Sequence, residues 1–136
     1  MIFVYALAKF LAYSAWCYVG LRSLQPSTSR VASSIRLGGA RWLIGLVFGI
    51  AIFFFVGPID ADAAARMYFL VYSPIRAIEW GIMALLIVRR ISQPAFSPPM
   101  LRLSAWCIGG MLVSFLTDAL SPEGVQGRFC VGRCLC

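Results

Sequence analysis

Residues Met67–Val88 read MYFLVYSPIRAIEWGIMALLIV. The stretch is apolar along almost its whole length, yet it carries Arg76 and Glu79 near its middle. At ~1.5 Å of rise per residue, a helix of this length reaches across the ~30 Å hydrocarbon core of a bilayer. Only helices and closed barrels satisfy every backbone polar group in lipid. A barrel strand needs period-2 alternation, and this segment has none. It therefore reads as a membrane-spanning helix that holds ions inside it.

Working outward, three further apolar stretches appear: Met1–Leu21 with Lys9 inside it, Trp42–Pro58 with Phe53, Phe54 and Phe55 in a row, and Leu103–Leu120. The 136 residues are 61% apolar and 12% charged, whereas an ordinary soluble domain has about 25% charged residues. The sequence thus predicts an all-α, polytopic membrane protein. It is one integral membrane domain, a four-helix bundle with helices near 1–21, 42–58, 67–88 and 103–120 and a mobile tail at 121–136. No basic residue precedes Lys9, so the first stretch reads as a retained span and not as a cleaved signal.

Basic residues comprise eleven Arg and one Lys, and there is no His. The segment RSLQPSTSRVASSIRLGGAR, Arg22–Arg41, reads as a linker holding Arg22, Arg30, Arg36 and Arg41, within which Val31–Leu37 could lie as a short interfacial helix. The Pro-rich segment between the third and fourth spans is flanked by Arg89, Arg90 and Arg102. The opposite side has Arg66, Arg128 and Arg133, so seven basic residues stand against three. The positive-inside rule then places both termini on the outer, periplasmic side of a bacterial inner membrane. Arg22, Arg30, Arg36, Arg41, Arg89 and Arg90 are expected to contact anionic lipid headgroups at ~1 kcal/mol each. Because the arginines flank spans, lipid and not nucleic acid is their expected partner.

Absence of His removes His-ligated haem, His-based zinc sites, Ser-His-Asp triads and Cys-His dyads. No cofactor is expected, and the role reads as non-enzymatic. Chemistry is concentrated in Lys9, Arg76 and Glu79, because an ion at a helix centre costs ~2.5–3.5 kcal/mol and is kept for a reason. Arg76 and Glu79 share a helix face at i, i+3 and can pair. By depth, Lys9 and Glu79 can also meet. Tyr68, Tyr72, Arg76, Glu79 and Met83 form one stripe, and Tyr5, Lys9, Tyr13, Trp16 and Gly20 another. Facing each other, they would line a polar seam with Tyr5 and Tyr72 beside the ions. The excess of cation suits an anionic ligand, a headgroup or an acidic partner helix. A structural ion pair is the competing reading. Asp118 reads as an interfacial or capping carboxylate at the outer end of the fourth span. The expected role is a small transport or binding protein, or an accessory subunit that meets another membrane protein or its own copy.

Five cysteines support a second class of function. Cys130, Cys134 and Cys136 in GRFCVGRCLC could form a disulfide or offer soft thiolates to a metal. Four spans with outward cysteines and an Arg near the membrane resemble, in layout alone, the DsbB-like quinone-linked thiol oxidoreductases. The family's CxxC pair is absent here. Finally, LAYSAWCYVG at Leu11–Gly20 and LRLSAWCIGG at Leu101–Gly110 share a Ser-Ala-Trp-Cys core. The predicted topology puts Trp16 and Trp106 at one depth, where interfacial Trp is enriched. If the first and fourth helices touch, Cys17 and Cys107 are expected near each other.

Overall fold

The computed structural model describes residues 2–24, 30–56, 64–90 and 100–121. These form four helices: α1 (Ile2–Leu24), α2 (Arg30–Val56), α3 (Ala64–Arg90) and α4 (Met100–Ala119). All four are long and apolar enough to cross a membrane, which marks a multi-pass membrane protein. Each helix packs on the next in the chain, and α4 closes back onto α1, so the bundle is a ring. Neighbours run antiparallel: Lys9 early in α1 meets Asp118 late in α4, and Trp16 late in α1 meets Trp106 early in α4.

The bundle is polar within and apolar without. Phe3, Leu7, Val47, Phe54, Leu70 and Leu116 are among many large apolar side chains on its exterior. Lys9, Arg41, Arg76, Glu79 and Asp118 are buried. A water-soluble bundle has the opposite arrangement. Two apolar clusters flank the ions. One is built on Tyr13, Cys17, Leu37, Trp80, Met83, Ile87 and Trp106, and the other on Ile52, Tyr68 and Tyr72.

α2 departs from the sequence reading. It starts at Arg30, so residues 30–41, read as part of a linker with at most a short interfacial helix at Val31–Leu37, are the opening of one long helix. The cause is packing. Ser34 donates to the Val31 carbonyl at 2.7 Å, so its hydroxyl is satisfied inside the helix. Leu37 enters the core, and Gly38 lies directly against the backbone of Ser14 in α1. The α1–α2 contact is the most extensive in the bundle. Tertiary burial here overrides weak local propensity.

The repeated Ser-Ala-Trp-Cys stretches form a clasp between α1 and α4. The Trp16 indole N–H donates to the Trp106 carbonyl at 3.1 Å, and the Trp106 indole N–H donates to the Trp16 carbonyl at 3.2 Å. Each ring needs a glycine socket. A Cβ on Gly109 would lie 2.2 Å from Trp16, and one on Gly20 would lie 2.1 Å from Trp106. Trp80 meets Trp106 edge-on at 5.1 Å and covers Gly110. The two copies recur because one crossing uses the same device from both sides. Trp16→Phe and Trp106→Phe are each expected to cost about 1 kcal/mol, the worth of one lost hydrogen bond, in thermal unfolding. Cys17 is buried, Cys107 is half-buried and both thiols are free. Cys107 Sγ donates to the Trp80 carbonyl at 3.6 Å.

Candidate functional site

The buried ions form one connected network with a contribution from every helix. On α3, the i, i+3 spacing lets Arg76 Nη1 donate to Glu79 Oε2 at 2.8 Å. Arg41 of α2 donates to the same oxygen from Nη2 at 2.6 Å. Two guanidinium groups therefore share one carboxylate oxygen. Arg41 Nη2 also donates to Ser114 Oγ of α4 at 3.2 Å. Ser114 in turn accepts from Trp80 Nε1 at 3.1 Å and donates to the Gly110 carbonyl at 3.0 Å. The Arg41 guanidinium stands over the rings of Tyr13, at 4.7 Å, and Trp80, at 5.3 Å. Such aromatic faces attract a desolvated cation.

Asp118 is the second anchor. Its Oδ2 accepts from Arg76 Nη2 at 2.6 Å and from Tyr68 OH at 2.6 Å. Its Oδ1 accepts from Lys9 Nζ and, at 3.4 Å, from Tyr5 OH. Lys9 Nζ also donates to Tyr5 OH at 3.2 Å. Each oxygen of Asp118 thus holds one cation and one phenol. Tyr72 stacks on Tyr68 at 4.8 Å and lies beneath the Arg76 guanidinium at 5.6 Å. Arg76 bridges the two carboxylates and so links the Asp118 level to the Glu79 level.

The charges of this network do not cancel among the described residues. Among the described residues, Lys9, Arg41 and Arg76 are buried cations, and Glu79 and Asp118 are buried anions, which leaves one positive charge over. Unused polar atoms cluster on the same groups: Arg41 Nε and Nη1, Arg76 Nε, Tyr13 OH and Glu79 Oε1 have no hydrogen-bond partner. Gly45 makes room for this arrangement, since a Cβ there would lie 3.0 Å from Arg41 Nη1 and 3.7 Å from Glu79 Oε1. Burying an uncompensated cation in an apolar surround is costly. The chemistry on offer is recognition of negative charge by Lys, Arg and Tyr donors.

Several expected positions are brought together: Lys9, Tyr5, Tyr72, Arg76 and Glu79 all belong to this one network. Lys9 reaches Asp118, which Arg76 in turn links to Glu79. Asp118 is 6% exposed and sits at the heart of the network, which corrects its reading as an interfacial cap. Arg41, expected on lipid headgroups, is a core residue of α2 at 0% exposure, because its helical face turns to α3 and α4. Arg22, Arg36 and Arg89 are exposed near helix ends, while Arg30 and Arg90 begin α2 and end α3. Cys130, Cys134 and Cys136 lie outside the described residues.

Asp118 and Arg41 carried a signal that local reading passes over. Asp118 follows Gly110 and Ser114 at four-residue spacing, and all three are buried. Arg41 precedes Gly45 by the same spacing and shares its face. Comparison with protein-family models, curated proteins and solved structures finds no match.

Proposed function

We propose that this is a non-enzymatic, multi-pass protein of the bacterial inner membrane that binds and passes a small anion at its Lys9–Arg76 centre. One observation carries the reading: among the described residues, three buried cations stand against two buried carboxylates in a bundle whose exterior is apolar. A singly charged guest would neutralise the surplus and give unused donors an acceptor. Orientation follows from the exposed and terminal arginines. With Arg41 removed to the core, Arg22, Arg30, Arg36, Arg89, Arg90 and Arg102 still stand against Arg66, Arg128 and Arg133, six to three. That asymmetry supports both termini outside, with Asp118 toward the outer face and the tryptophan clasp toward the inner one.

The test is thermal unfolding of the purified protein in sodium acetate, chloride or phosphate at equal ionic strength. At least one anion is expected to raise Tm in a saturable way. Arg41→Leu leaves two cations and two carboxylates in the core and is expected to weaken that binding about tenfold or more. Absence of a saturable response to every anion would refute the reading. Replacing Cys130, Cys134 and Cys136 with Ser is expected to leave anion binding intact, and its loss would favour thiol chemistry in the tail.

A further inference from the structure

We infer that Asp118 is an internal occupant of a carboxylate receptor, and that the anion this site takes is a monocarboxylate that displaces it. The inference rests on the anion-binding reading above and names both the ligand class and the group that regulates entry. Its starting point is which helices make the receptor. The donors to Asp118 are Lys9 and Tyr5 from α1 and Arg76 and Tyr68 from α3. α4 supplies only the carboxylate. Remove that side chain and the four donors remain, arranged as two pairs of one cation and one phenol. Such a pairing matches the two oxygens of a planar carboxylate, each taking a charge-assisted and a neutral hydrogen bond.

Position separates Asp118 from the other buried acid. Glu79 is 0% exposed and is held between Arg41 and Arg76 in mid-helix. Asp118 lies in the last turn of α4, which ends at Ala119. Final turns of helices open at the least cost in backbone hydrogen bonds. Below Asp118, α4 is fixed by Ser114 to Arg41 and Trp80, and further on by the Trp16–Trp106 clasp. In the exchange, the end of α4 swings its carboxylate out by opening the bonds from the Leu120 N–H to the Leu116 carbonyl, 3.0 Å, and from the Ser121 N–H to the Asp118 carbonyl, 3.1 Å, while the rest of the helix stays in place. Tyr5 is only half-buried, so the receptor lies next to the surface at that end of the bundle.

Exchange also suits the charges. A monocarboxylate entering as Asp118 leaves keeps a carboxylate opposite Lys9 and Arg76 throughout. A phosphate lacks the planar two-oxygen form of the side chain it would replace. While Asp118 occupies the receptor, the apparent affinity for a free carboxylate falls by the fraction of time the site is vacant.

The experiment measures binding of acetate and formate, with chloride and phosphate as comparisons, by saturable Tm shift in the full-length protein. Asp118→Ala is expected to bind acetate about tenfold or more tightly than the wild type, by removing the internal competitor. Adding Lys9→Met in that background is expected to abolish the gain. If Asp118→Ala does not fold, Asp118→Asn, of equal size and without charge, serves instead, and tighter acetate binding is again expected. An acetate affinity equal to or below that of the wild type in the folded variant overturns the inference. So does a wild type and variant that bind chloride or phosphate with no preference for acetate, although anion binding itself would then stand. No response to any of these anions in any of the proteins brings down both readings.

Discussion

Glu79→Gln is expected to lower the stability of the bundle by about 3–5 kcal/mol, the usual cost of removing one partner from a buried ion pair. Among the described residues, Glu79 is the only carboxylate that Arg41 touches, and its Oε2 receives both Arg41 and Arg76. Without that charge, Asp118 is the one buried carboxylate left to the three cations among the described residues. The Gln amide would also direct N–H groups toward guanidinium donors, which cannot accept them. Arg41→Leu provides the contrast. It deletes the surplus cation, leaves Glu79 paired with Arg76 and sets an apolar side chain between Tyr13 and Trp80. Removing one partner of a buried pair is costly where the other is left without a counter-charge, but Glu79 keeps Arg76 here, so the loss is expected to stay within about 1 kcal/mol, well below that of Glu79→Gln. Equilibrium unfolding of the two variants in detergent checks both magnitudes. A loss below about 1 kcal/mol for Glu79→Gln would mean that these pairs behave as solvated surface pairs do, and that the core is wet.

Gly38 and Gly39 are neighbours in one helix, yet their alanine variants are expected to move in opposite directions. A Cβ on Gly38 would stand 2.7 Å from Ser14 Cα and 2.8 Å from Ser14 N. Backbone cannot swing aside, so α1 and α2 would have to separate along their most extensive contact. Overpacking of this kind costs ~1–3 kcal/mol. A Cβ on Gly39 meets only Phe10 Cε2, at 3.7 Å, which is ordinary contact. There the gain in helix propensity, ~0.5–1 kcal/mol for Gly→Ala, is unopposed. Thermal unfolding of both variants reads the difference directly. If residues 30–41 were the linker that their composition suggests, neither substitution would matter.

These two contrasts also mark how far the site could be read from the sequence. Lys9, Arg76 and Glu79 are conspicuous because each is an ion inside an apolar run, and i, i+3 spacing already allows the Arg76–Glu79 pair. Arg41 was not legible in the same way. It closes a stretch rich in Ser and Gly, and nothing local separates it from Arg36, which is exposed. The two lie on different faces of α2, and only the placement of α1, α3 and α4 turns one inward. Asp118 stood at the edge of its apolar run, where a carboxylate ordinarily meets water. Closure of α4 against α1 and α3 buried it. The paired Ser-Ala-Trp-Cys stretches were legible as markers of equal depth. Their reciprocal indole bonds needed the crossing of α1 and α4.

By itself the sequence determined an all-helical chain with four helices apolar enough to cross a membrane, because hydropathy and length are sums over adjacent residues. Tertiary structure alone decided which ions meet. Lys9 finds Asp118 across 109 positions, Arg76 finds Asp118 across 42, and Arg41 finds Glu79 across 38. No local spacing rule reaches over such separations. The pairing depends on which helices are neighbours in the ring, how closely glycines let them approach and which face each presents. Among the described residues those same choices leave one cation over, and that surplus is the basis for the function proposed.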